Sequence, residues 1–339
     1  MSVVEPYVDS FLQKTLSFKD IKILPLAGDA SNRKYYRVVH AEESWVLMKW
    51  EPFNPEEYPF LSVLNHFAKN SVHVPRVVGM SPPEGLVLLE DLGDLTLERR
   101  FWENQNQENV ILFYKMALDE ILKIHGQATM NKSDCTAFKI QFDTEKLLWE
   151  LNYGKDNLIL GVLKADLFPK VQDELQKIFI DICETLHNEP KVICHRDYHS
   201  RNLMIKLDKM YVIDFQDARM GPIQYDLVSL FKDSYVDMQD ETVAQLMDYY
   251  LDRAKLFLPK GFSRDHFNHI YEVQTLQRCF KACGSFASFY HQRGDKRYLK
   301  YLTPTLKRVM KCLNQFPQYK LFSDILLDTG ALEKKYETF

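Results

Sequence analysis

Residues 192–218 read VICHRDYHSRNLMIKLDKMYVIDFQDA. Two short apolar runs, 192–194 and 210–214, have the β-branched and aromatic content of strands. Polar and acidic residues follow each run at once: His195, Arg196 and Asp197 after the first, Gln216 and Asp217 after the second. A packed core has no use for such residues, so these positions face a cleft. A lone Asp or Asn at a strand end reads as a turn cap. The ordered set H-R-D-x-x-x-x-N, closed by Asn202 and followed by Asp214-Phe215, does not.

Phosphoryl transfer is the chemistry that needs these residue types. Its loose transition state spreads charge over phosphate oxygens, so positioning, cations and a proton acceptor matter more than a covalent nucleophile. Asp197 can accept or orient a hydroxyl proton. Asn202 offers a neutral oxygen and Asp214 a charged one, both hard donors suited to Mg²⁺. The spacing is that of a kinase catalytic loop and its metal-binding Asp-Phe turn. His195 and Arg196 read as hydrogen-bonded scaffold, and Asp226, at the start of an apolar helix, as a cap or as an anchor for the loop.

Upstream, WVLMKW (45–50) ends a strand with Lys49 placed like the lysine that pairs with the α- and β-phosphates of ATP. Glu56 and Glu57 both precede a helix predicted over 58–69, and Glu57 is the preferred partner for Lys49. LAGDASNRKYYRV (26–38) precedes the first hairpin and holds a single glycine. The backbone of Gly28, Asp29, Ala30, Ser31 and Asn32, with the Ser31 hydroxyl, is the candidate phosphate cap; an ordinary hairpin turn stays open there. LLEDL (88–92) is the candidate hinge whose backbone, around Glu90 and Leu92, meets adenine.

Working outward, runs at 35–39 and 44–50 flank a polar turn and predict a hairpin. After residue 94 the period becomes helical, with apolar residues three and four apart over 107–125 and 171–187. An α+β, bilobal chain follows, with a small β-rich lobe (1–91) and a larger helical lobe (92–339). The 339 residues suffice for two lobes. A net charge of −4 gives no excess for a nucleic-acid backbone. Six scattered cysteines lack the spacing of a metal site or a secreted scaffold. Glu5, Pro6 and Asp9 interrupt any signal peptide, and no run reaches the length of a membrane span, so a cytoplasmic protein is expected.

HRDYHSRNLM followed by VIDFQDARMGPIQYDLVSL resembles the aminoglycoside phosphotransferase and choline kinase branch of the protein-kinase-like fold. No A-P-E motif and no activation-loop spacer separate Asp214 from Asp226, which favours a small hydroxylated metabolite over a protein substrate. AGDASNRKYYRV, FDTEKLLWEL and LQRCFKACGSFASFYHQRGDKRYLKYL extend the likeness to the bacterial anomeric kinases of N-acetylmuramate and N-acetylglucosamine. Gln216 stands where the DFG glycine would be, and the phosphate loop is nearly glycine-free; kinases of other substrates could share both features. The resemblance implies ATP and Mg²⁺, phosphorylation at the sugar's C1 hydroxyl, and functional coupling to a sugar-1-phosphate nucleotidyltransferase in cell-wall recycling.

Candidate sugar contacts are Glu150 and Asn152, on a helix capped by Asp143, with Gln216, Asp217 and Arg278. Trp149, Asn152 and Tyr153 share a face, with core packing slightly favoured for Trp149. Gln277, Arg278, Lys281, Arg293, Lys296 and Arg297 form a basic run whose commoner meaning is a solvated face. Arg278 is the first choice to meet the lactyl carboxylate of muramic acid. A kinase of an aminoglycoside, choline or related amine is the alternative, and an ATP-binding pseudoenzyme or scaffold a further one.

Overall fold

The structure, a computed structural model, describes residues 5–26, 33–103 and 107–338. It opens with helix α1 (Pro6–Leu16), followed by β1 (Lys22–Pro25), β2 (Lys34–His40), β3 (Glu43–Lys49), α2 (Pro59–Lys69), β4 (Val77–Ser81) and β5 (Leu86–Glu90). The strands form one antiparallel sheet in the order β1-β2-β3-β5-β4. Successive strand residues point to opposite faces, and here both faces are covered. Leu47, Leu86 and Leu88 pack with Val8 and Leu12 of α1, while Met48, Val87 and Leu89 pack with Phe60, Leu64 and Phe67 of α2. The unbroken apolar run of β5 follows from that double cover. The sequence reading places no helix at the start of the chain, so α1 is an addition.

A short connector leads to α3 (Leu97–Glu103), α4 (Gln107–Lys123), α5 (Thr144–Gly154) and α6 (Pro169–His187). Then come β6 (Lys191–Cys194), β7 (Leu203–Lys206), β8 (Lys209–Val212), β9 (Arg219–Pro222) and α7 (Gln224–Phe231). Helices α8 (Asp240–Ala254), α9 (Arg264–Arg293), α10 (Leu302–Leu313) and α11 (Lys320–Asp328) complete this α+β fold. The two strands expected around the motif do not pair with each other: β6 pairs with β9 and β7 with β8. β7 and β9, four residues each, are too short to show a period in sequence.

The connector is pinned from both sides. Arg37 of β2 reaches Asp91 (Nε to Oδ2, 2.7 Å) and Asp94 (Nη2 to Oδ1, 2.9 Å), and Lys206 donates to Glu90 Oε1 (2.7 Å) and the Asp91 carbonyl (2.8 Å). In the helical part, a Cβ placed on Gly284 of α9 would lie 2.5 Å from the Gly154 Cα of α5. Two glycines thus let these helices touch backbone to backbone. All six cysteines are free and buried, as core thiols should be, and burial raises their pKa values.

Candidate active site

The chain leaves β6 into a loop held by two buried carboxylates: Asp233 accepts the Ser200 N–H (2.9 Å) and hydroxyl, and Asp226 holds the loop's start. Asp226, in the first turn of α7, accepts the backbone N–H of His195 (2.7 Å) and of Arg196 (3.0 Å). Its Oδ2 also lies 3.2 Å from His125 Nε2. The residue at the cap position of α7 is Ile223, so Asp226 is the loop's anchor rather than a cap. Arg196 (φ 84°) and Asp214 (φ 62°) adopt the left-handed conformation without being glycine, at a cost of about 1–2 kcal/mol each. His195 joins the two strained turns, its Nε2 lying 2.9 Å from the Ile213 carbonyl. His125, Cys194 and Asp226 place potential metal ligands within 4.8 Å of one another. Asp226 is engaged by the loop, His125 Nδ1 by the Tyr250 hydroxyl and Cys194 by the Pro222 carbonyl, so the trio is a polar joint in the core.

The loop brings Asp197, Asn202 and Asp214 together. Asn202 Nδ2 donates to the Asp197 carbonyl (2.9 Å) and lies 3.4 Å from Asp214 Oδ2. That leaves Asn202 Oδ1 as a potential cation ligand beside the Asp214 carboxylate, an oxygen set that suits Mg²⁺. Gln216 Nε2 donates to Asp214 Oδ1 (2.7 Å), and Asp217 accepts from Arg196 Nη1 (2.7 Å). The side chain of Asp197 is 26% exposed and flanked by Arg196 Nε (3.8 Å), Arg278 Nη2 (4.0 Å) and Lys281 Nζ (3.7 Å). Burial alone would raise its pKa, but Lys281, Arg196 and Arg278 outweigh burial and hold the carboxyl well below the usual carboxylate range. Such a group stays ionised and accepts a proton weakly.

Over this loop hangs the sheet. Tyr35 of β2 feels the charge of Asp214, and burial together with that charge pushes its phenol up to about 12. Lys49, at the end of β3, takes Glu5 as its partner and lies 5.2 Å from the Tyr7 ring centre. Glu57 is exposed in the turn before α2, so the expected Lys49–Glu57 pair is replaced by a pair with the start of α1. The Glu90 carboxylate is occupied by Lys206, and Leu92 is buried. Gly28, Asp29, Ala30, Ser31 and Asn32 lie outside the described residues.

The opposite wall comes from α5 and α9. Asp143 caps α5 by accepting the Lys146 N–H (2.8 Å). Glu150 is wholly buried, with Oε2 accepting from Gln277 Nε2 (3.0 Å) and from the Tyr225 hydroxyl (3.5 Å). Its Oε1 and the Asn152 Oδ1 are buried without a hydrogen-bond partner among the described residues. Trp149 is 54% exposed, stacked on Tyr153 and capped by Lys146, so core packing does not explain it. The basic run divides: Gln277 and Arg278 are buried and Lys281 half-buried, whereas Arg293, Lys296 and Arg297 lie outward or half-exposed. Lys281, read in sequence as part of a solvated face, therefore belongs to the site. Its i+3 spacing from Arg278 is the signal that could have found it.

A β-sheet over a helical lobe whose loop gathers Asp197, Asn202 and Asp214 defines a phosphotransferase of the protein-kinase-like class, while Lys49 lies on the sheet face that carries α1. The chain belongs to the phosphotransferase enzyme family, APH, whose sequence pattern matches residues 22–259. It is an ATP-dependent kinase. An N-acetylmuramate/N-acetylglucosamine kinase of Neisseria meningitidis serogroup B is 30% identical over 336 residues, covering 95% of this chain and 97% of the relative. The fold is shared with a gentamicin complex of APH(2")-IIa (TM-score 0.60, 17% identity, 91% of this chain and 97% of that one). It is also shared with a choline/ethanolamine kinase family protein from Mesorhizobium loti (TM-score 0.60, 14% identity, 96% and 98% covered). No helix among the described residues is long and apolar enough to cross a membrane.

Proposed function

We propose that the protein transfers the γ-phosphoryl group of ATP to the anomeric C1 hydroxyl of N-acetylmuramate or N-acetylglucosamine, giving the sugar 1-phosphate. The observation that carries this reading is Asp197 among three cations at 3.7–4.0 Å. A carboxylate so placed is a weak base, and an anomeric hydroxyl, more acidic than an ordinary alcohol, needs only a weak one. The Neisseria relative, alike over nearly all of both chains, is named for these two sugars, which supports the choice of acceptor.

In this reading Asp197 orients the acceptor hydroxyl and takes its proton late. Asn202 and Asp214 would hold Mg²⁺, which when bound neutralises charge on the phosphates. Lys49, the backbone of residues 28–32 and the strand around Glu90 and Leu92 serve the nucleotide from a lobe ending near 91. Glu150, Asn152, Gln216, Asp217 and Arg278 line the acceptor side of the remainder, 92–339. The product suits a nucleotidyltransferase that reuses cell-wall sugars. An acceptor amine would call for a pocket dominated by acids, and the cations beside Asp197 count against it. A pseudoenzyme usually lacks a base or a metal ligand, whereas all three residues are present.

Phosphorus NMR of the product formed from ATP and each sugar tests the assignment. A phosphorus signal coupled to the anomeric proton is expected. Turnover on choline or an aminoglycoside with no sugar phosphate would overturn it. Asp197→Asn should abolish turnover while sparing ATP binding.

A further inference from the structure

Where the α5–α9 wall meets the catalytic loop, positive charge is in excess. Arg278 and Lys281, one turn apart on α9, both approach Asp197 Oδ1, while Arg196 approaches Oδ2. All three distances exceed direct hydrogen-bond reach. The other nearby acids are engaged: Asp217 accepts from Arg196 Nη1 (2.7 Å), and Glu150 receives Gln277 and Tyr225 on Oε2 with Lys146 3.9 Å from Oε1. Among the described residues this leaves Arg278 and Lys281 with only Asp197 between them. Two charged donors, Arg196 Nε and Arg278 Nε, are buried with no hydrogen-bond partner among the described residues. Leaving such donors unpaired is costly, and an oxygen of a bound anion is the partner their chemistry asks for. In the proposed reading, Lys49 and the metal held at Asn202 and Asp214 meet the phosphates. Arg278 and Lys281 instead come from a helix packed on α5 and α7, on the acceptor wall.

We propose that Arg278 and Lys281 form a carboxylate subsite in the acceptor pocket, so that an acceptor sugar carrying a carboxylate is preferred over its neutral counterpart. The inference rests on the amino-sugar reading and deepens it, because N-acetylmuramate bears a lactyl carboxylate and N-acetylglucosamine does not. A guanidinium and an ammonium side by side give charge-assisted hydrogen bonds to such a group. A carboxylate seated there also draws the two cations from Asp197, which is then free to face the hydroxyl.

The test compares kcat/KM for N-acetylmuramate, its carboxamide and N-acetylglucosamine. The unaltered protein should favour the acid over the carboxamide by about tenfold or more, the worth of one good ionic contact. Lys281→Met should lower the ratio of N-acetylmuramate to N-acetylglucosamine activity by a similar factor, and Lys281→Arg should restore most of it. A carboxamide as good as the acid overturns the subsite, as do equal losses for both sugars, which would assign the cations to the transferred phosphoryl group. Both results leave the amino-sugar reading standing. Wild-type protein that phosphorylates neither sugar overturns that reading and the subsite with it. The carboxamide comparison needs no variant, so a misfolded mutant cannot mask the answer.

Discussion

Replacing Asp226 with Asn removes one charge and turns one acceptor into a donor at the point where the catalytic loop is held. In the native protein its two oxygens accept the His195 and Arg196 N–H groups at 2.7 and 3.0 Å, and the residue is fully buried. Hydrogen bonds to charged groups contribute about 1.5–3 kcal/mol each. Asn keeps one acceptor and turns an amide against the other N–H, so the loss should be about 3 kcal/mol, near the lower end for breaking a buried charged contact. That corresponds to a melting temperature about 4 °C lower for a chain of 339 residues. The released bond also frees Arg196 to leave its left-handed conformation, and Asp197 moves with it. A displacement of about 1 Å at a reacting group lowers turnover on the order of a hundredfold. Differential scanning fluorimetry and steady-state kinetics on the same preparation read both effects. Asp226→Asn protein with unchanged melting temperature and kcat would refute the anchor argument.

Glu5→Gln should raise the KM for ATP by up to roughly fivefold, since a half-exposed pair contributes at most about 1 kcal/mol; an unchanged KM would remove Glu5 from the nucleotide site. Gly284→Ala should cost about 1–3 kcal/mol by overpacking the α5–α9 contact and raise the sugar KM as the Glu150–Gln277 bond loosens, while an unaltered melting curve would deny the close contact. Burial opposes ionisation of Asp197, but Lys281, Arg196 and Arg278 depress its folded pKa. Its contribution to stability is therefore complete above the unfolded value near 3.9 and is lost as pH falls toward the folded value. Native turnover should then show no acid limb from Asp197 between about pH 5 and 8. Lys281→Met should move that group's titration to higher pH, and a pH–rate profile with no such shift speaks against the coupling.

The catalytic loop was legible because its chemistry is local: Asp197 and Asn202 sit in one turn, and Asp214 follows one hairpin later. Helix α1 was not, although Val8 and Leu12 carry its apolar face, because only the tertiary demand of β5 for a second cover makes that face necessary. The partner of Lys49 escaped for the same reason. It was sought just before the next helix along the chain, whereas Glu5, 44 residues away in sequence, reaches it from the start of the helix that covers the same sheet face. Lys281 and Arg278 show the limit of composition, since a basic helical run reads as solvated until another helix is known to lie against it. The expected phosphate cap at 28–32 lies outside the described residues and stands as a proposal.

Six thiols, every one buried and none bonded to another, leave the folded protein nearly silent to alkylating reagents, because attack needs an accessible thiolate. The rate at which they react therefore counts openings of the fold, and peptide mapping would tell which helix opens first. The same silence makes a single new cysteine selective. At Leu207, 85% exposed in the turn between β7 and β8, an attached dye would ride on the hairpin that leads into Asp214 and report how that turn responds to nucleotide.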